Sequence, residues 1–246
     1  MSFERMGPVP MPEAAPQPTT GLTAGQADGG EVPPALRLQI LATEHWSLLA
    51  TRSMAWSEMF ARAGMFLSTL SGAIVALALV GQGSGFGGTF ALFGIVILPV
   101  VLFIGITTFI RMGATNRNDA WCVIGMNRIR AAYFEMAPDL ERFFVTSGHD
   151  DMRGVGLTMG IDPTVSMPVH FLAATPVVVM VINAVLAGAI VGLVAAELDV
   201  ATVPAVAVSV VVFLATFLVE AAIGRAAVNR EQSSLRPMFP GPPPPR

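Results

Sequence analysis

Apolar and polar positions alternate along this chain in two distinct modes. In four places the apolar residues run without interruption. The stretch 64–81 (GMFLSTLSGAIVALALVG) has no charged residue, and at about 1.5 Å per residue it reaches roughly 27 Å, close to the hydrocarbon thickness of a bilayer. Stretches 89–110 and 170–196 are of the same kind, and 200–223 differs only in holding one charged residue, Glu220. The first two are joined by GQGSGFGG and the last two by a short turn around Glu197 and Asp199, so each pair predicts antiparallel neighbours. Pro99 falls near the middle of the second run, where the lost backbone donor predicts a kink.

The other mode is periodic. From 35 to 63 there is no Pro or Gly, and Arg37, Glu44, Thr51 and Glu58 recur every seventh residue opposite Leu41, Leu48, Ala55 and Met59. Between 114 and 137 the apolar residues Cys122, Met126, Ile129, Tyr133 and Met136 follow at alternating spacings of about four and three, the narrow stripe of a helical seam. Both amphipathic segments continue directly from the first pair of spans. They should therefore lie side by side as a two-helix stalk, with Leu41, Leu48, Met59, Cys122, Met126, Ile129 and Tyr133 at its interface.

The expected class is all-α: an integral membrane protein with four transmembrane helices in two hairpins and a cytoplasmic amphipathic two-helix stalk. Residues 1–34, rich in Pro and Gly, have little to bury and read as a disordered tail. Residues 35–137 form the first hairpin with its stalk, and 138–169 a linker with a short helical turn at DLERFF and turn signals at Asp162-Pro163 and Met167-Pro168. Residues 170–223 form the second hairpin, and 224–246 a polar, Pro-rich tail expected to be extended.

Composition agrees with lipid as part of the solvent: 53% of residues are apolar and only 13% charged, against about 25% charged in soluble domains. The net charge of −3 and the scatter of basic residues disfavour nucleic acid as a partner. All basic residues are Arg, which with abundant Ala, Val and Gly reads as GC-rich codon usage. Their placement carries topology. Arg37, Arg52 and Arg62 precede the first span, Arg111, Arg117, Arg128, Arg130, Arg142 and Arg153 lie between the pairs, and Arg225, Arg230 and Arg236 follow the last, while neither short connection has any. The positive-inside rule puts both termini and the central segment in the cytoplasm, at the cell membrane.

Candidate chemistry is sparse. No P-loop, GxGxxG, HExxH, GxSxG or CxxC pattern occurs, so no enzymatic activity and no cofactor are expected. His149, Asp150, Asp151 and Asp162 match neither zinc nor calcium-loop spacing, so no metal site is expected and a solvated acidic loop is the default. Cys122 reads as a buried apolar residue, and His45 and His170 as interfacial.

Ala184, Gly188, Gly192 and Ala196 recur every fourth residue in the third span, matched by Ala201, Ala205 and Ser209 in the fourth, which predicts close helix packing. Glu220 is the one acid within an apolar block, near its cytoplasmic end, where it is expected to reach water or to pair with Arg225 or Arg111, and Asn183 needs a partner on a neighbouring helix. Two amphipathic stripes and two small-residue rows are all interaction surfaces. The expected function is non-enzymatic assembly in the lipid bilayer, as a homo-oligomer or within a membrane-protein complex, with no small-molecule substrate identified. The alternative is an oligomeric channel or transporter built on Glu220, Asn183 and Pro99.

Overall fold

The computed structural model describes residues 32–161 and 174–242, and within them the chain is helical with no strand. Helix α1 spans Pro34–Ser84 and α2 spans Gly88–Met136. With 51 and 49 residues, each is about 75 Å long. A 3-10 turn at Pro138–Phe143 and the short α3, Met152–Thr158, follow. Helix α4 spans Thr175–Glu197 and α5 spans Thr202–Ser234. These four long helices are long and apolar enough to cross a membrane.

Local chemistry accounts for the helix ends. Pro34 stands in the first turn of α1, where its missing N–H costs no hydrogen bond. Gly85, at φ 75°, ends α1 in a backbone conformation that residues with a Cβ rarely adopt. Asp151 caps α3, its carboxylate accepting from the Gly154 N–H at 2.7 Å. Helix α2 runs through Pro99 without ending, because packed neighbours hold a helix that has lost one backbone bond.

Several sequence boundaries shift. The Gly-rich connection expected over 81–88 contracts to residues 85–87. The third long helix begins at Thr175, and the expected start at 170–173 lies outside the described residues. The fourth continues past Ile223 to Ser234, since AAVNREQ is rich in good helix formers and no Pro intervenes before Pro237. The expectations for 1–31, for the turns at Asp162 and Met167, for His170 and for the last four residues lie outside the described residues.

Contacts between α1 and α2 advance along one helix while they recede along the other. Leu48 lies against Gly125, Arg52 bonds Asp119, Glu58 bonds Arg111, Phe66 covers Gly105 and Leu77 lies against Gly94. The pair is antiparallel over its whole length. Helix α4 also packs on α2, with Leu193 at Gly94 and Asn183 at Gly105, the same two glycines that Leu77 and Phe66 of α1 approach. The core accordingly draws on α1, α2 and α4: Met59, Phe66, Leu98, Val101, Met112, Met180 and Leu186 are among its buried members. Helix α5 leans on α4 and gives that core only half-buried Phe217 and Ala221. Its apolar residues, including Val203, Val206, Val211, Leu214 and Leu218, face outward, as they do where lipid is the neighbour.

Candidate functional site

Three groups of residues gather the interfacial and buried polar side chains of the described structure, two at helix pairings and one where the segment after α5 meets the linker before α3. The first lies along α1 and α2 outside the uncharged stretches. Met59, Cys122, Met126 and Ile129 are buried there, and Leu41, Leu48 and Tyr133 are half-buried. Polar groups punctuate this seam. Arg52 grips Asp119 with two bonds, Nε to Oδ1 at 2.6 Å and Nη2 to Oδ2 at 3.1 Å, and Asp119 is only 3% exposed. A bidentate pair of this kind fixes register as well as adding energy. Glu58 accepts from both Arg62 and Arg111 at 2.9 Å, and these guanidiniums hold its carboxyl down to about 2. The Glu58–Arg62 pair matches the helical spacing read from the sequence.

Farther along the seam, Arg130 is buried and donates to Asn127 Oδ1 at 2.7 Å. Burial, and then the positive charge of Arg130, lower the pKa of the neighbouring His45. Burial, and then Asp119, raise that of the Cys122 thiol, which disfavours the reactive thiolate.

One face of α1 packs on α2 and another has no partner among the described residues. At 3.6 residues per turn, Arg37, Glu44, Arg52, Glu58 and Arg62 fall within about one third of the circumference. Beyond the packed face lies a charge-free stripe of Leu38, Ala42, Trp46, Leu49, Ser53, Trp56 and Phe60, at spacings of about four and three. All but half-buried Ala42 are exposed, Trp46 at 69% and Phe60 at 58%. The Trp56 and Phe60 rings lie 5.8 Å apart. The heptad pattern in the sequence points only to the stripe that faces α2, although the spacing of this second stripe is present in the same letters.

The second group joins α4 and α5. Ala184 and Gly188 are buried, and a Cβ on Gly188 would stand 3.0 Å from the Ser209 carbonyl oxygen. A Cβ on Gly192 would stand 3.1 Å from Ser209 Oγ, whose hydroxyl donates to the Ala205 carbonyl. Ala196 and Ala201, at the ends of their rows, are exposed. Asn183 is fully buried and Glu220 only 5% exposed, and Asn183 Nδ2 donates to Glu220 Oε1 at 2.9 Å. Neither partner expected for Glu220 is used: Arg111 is occupied by Glu58, and Arg225 is exposed. Glu220 is the one buried residue of α5. Asn183 Oδ1 and Glu220 Oε2 are both buried, with no hydrogen-bond partner among the described residues.

The third group replaces the expected solvated acidic loop. Asp150 has no solvent exposure, accepting from Arg128 Nε at 2.7 Å, from the Met238 N–H at 2.9 Å and from the Phe239 N–H at 2.8 Å. Asp151 accepts from the Gly241 N–H at 2.9 Å. The segment after α5 is thereby strapped to the linker before α3, and Leu235 packs with Val123, Ile124 and Val155. Carboxylates that read as surface acids are receptors for backbone amides. Among the described residues no group of three or more His, Cys, Asp or Glu side chains is placed to hold a metal. No protein-family model, curated protein or solved structure matches this chain.

Proposed function

We propose that this protein is a non-enzymatic, multi-pass membrane protein that works by assembly, with a second copy of itself as the partner of α1. In this reading the four long helices form two transmembrane hairpins in the cell membrane, and residues 34–62 and 112–136 project into the cytoplasm as a stalk. The Arg distribution supports that orientation.

The charge-free stripe on α1 is the observation that carries the proposal. An amphipathic helix with such a stripe often lies flat on a membrane, but α1 is unbroken from Pro34 to Ser84. If its uncharged stretch crosses the bilayer, the stripe is carried away from it. Spacings of four and three suit the seam of another helix. A face without charge is self-complementary, because two copies brought together oppose no like charges. Trp46, Trp56 and Phe60 within it are of residue types enriched in protein interfaces.

Ser53→Cys, inside the stripe, should form an intermolecular disulfide in membranes under mild oxidation, whereas exposed Ser47→Cys, on another side of α1, should not. Native Cys122 is buried and leaves the background low. The double substitution Leu49→Glu with Trp56→Glu should lower the particle mass measured in native lipid. A wild-type particle already monomeric, with no cross-link through residue 53, would refute the reading.

A further inference from the structure

We propose that Asn183 and Glu220 form a binding site for a single monovalent cation at the junction of α2, α4 and α5. The site does not depend on assembly, because all its residues come from one chain.

Burial and hydrogen bonding together define it. Asn183 is fully buried and Glu220 is 5% exposed, yet each keeps one buried oxygen without a partner among the described residues, Asn183 Oδ1 and Glu220 Oε2. The two oxygens belong to the two ends of one 2.9 Å hydrogen bond, so both lie in the same small region. An unsatisfied buried acceptor costs about 1–3 kcal/mol, and an unpaired buried charge costs more. No ion pair with Glu220 occurs among the described residues. Two such acceptors on adjacent side chains are what a bound cation satisfies.

The neighbouring backbone is built around this pair. A Cβ on Gly105 of α2 would collide with Asn183 Oδ1, so the glycine admits the amide where other residues would exclude it. Thr108, also buried, stands one turn farther along α2. The apolar wall comes from Phe66, which covers Gly105 from the α1 side.

Charge and ligand type set the class of ligand. One carboxylate and one neutral amide offer a single negative charge, which a monovalent cation balances and a divalent cation would overshoot. Oxygen ligands favour hard ions such as Na+ or Li+, or a proton, over thiophilic metals. No third carboxylate, imidazole or thiol among the described residues completes a transition-metal set.

The test uses the full-length protein in lipid nanodiscs. Dicyclohexylcarbodiimide, an apolar reagent that modifies carboxyl groups in apolar surroundings, is applied across pH 6–9 in NaCl or in choline chloride of equal ionic strength. Modification of Glu220 is followed by peptide mass spectrometry. A sodium site predicts saturable protection, on the order of tenfold when Na+ is ten times its dissociation constant, with protection weakening as pH falls. A proton site predicts modification that declines with rising pH and is indifferent to Na+. Asn183→Ala should shift the protecting ion concentration or the pH midpoint while Glu220 remains reactive. Absence of Glu220 modification at every pH, or modification insensitive to both Na+ and pH, overturns the proposal.

Discussion

Replacing Asp150 by Asn should release the segment that follows α5 while leaving the helices in place. The wild-type carboxylate receives the Met238 and Phe239 amides at 2.9 and 2.8 Å and the Arg128 guanidinium at 2.7 Å, with no solvent contact. Hydrogen bonds to a charged group contribute about 1.5–3 kcal/mol each. The lower figure for the two amides alone gives about 3 kcal/mol, or roughly 100-fold in the local opening equilibrium. An Asn side chain has no charge and turns an amide group toward donors that need an acceptor. Hydrogen exchange at Met238 and Phe239 should therefore accelerate by about two orders of magnitude, with exchange in the α2 core around Met112 unchanged. An acceleration below about threefold would show that the carboxylate does not hold the strap.

The same contact sets a pH dependence. Burial raises the Asp150 pKa, but the Met238 amide, Arg128 and the Phe239 amide outweigh it and hold the carboxyl below its ordinary value. A group whose folded pKa is depressed stabilises the folded form above its unfolded pKa, and that stability is lost as pH falls through the folded value. The strap should thus stay docked through neutral and mildly acidic conditions and release only below about pH 4.

Two further substitutions test the helix packing. Asp119→Ala leaves Arg52 without its bidentate partner in a half-buried seam, and should lower stability in detergent by about 3 kcal/mol, read by chemical denaturation. A loss below about 0.5 kcal/mol would place the pair among exposed, weak ion pairs. Gly105→Ala puts a methyl group against Asn183 Oδ1 and 2.8 Å from the Phe66 ring, with an expected cost of about 1–3 kcal/mol. Gly72→Ala, with open space around it, should be neutral or stabilising by up to about 1 kcal/mol. Equal effects at the two glycines would contradict the close approach of α2 to α1 and α4.

The helices were legible because their signals are local. An uncharged run of sufficient length, or a stripe at helical spacing, can be read from neighbouring letters, and the pairs from 35 to 137 emerged as two long helices in antiparallel contact. Glu220 and Asn183 were each conspicuous as polar groups in apolar runs. Their mutual bond was not legible, since it depends on the rotation of α4 against α5, and on charge alone Arg225 and Arg111 are the partners a carboxylate suggests. The acidic loop misled for a related reason. Asp150 and Asp151 read as solvated because the amides that bury them come from residues 238–241, far along the chain.

What the sequence determined by itself was the solvent and the elements: 13% charge and four long apolar runs, three of them uncharged and the fourth holding only Glu220, are those of a membrane protein, and a single segment in lipid satisfies its own backbone groups as a helix. The tertiary structure decided which faces those helices hide. Hydropathy is nearly the same for α4 and α5, 2.7 and 2.5, yet 44% of the apolar window of α4 is buried inside the protein and only 6% of that of α5. In a membrane, apolar side chains are satisfied equally by lipid and by protein, so hydropathy does not distinguish the two. Shape does, through the glycines that allow close approach, and polar groups do, through partners that exist only once the helices have met.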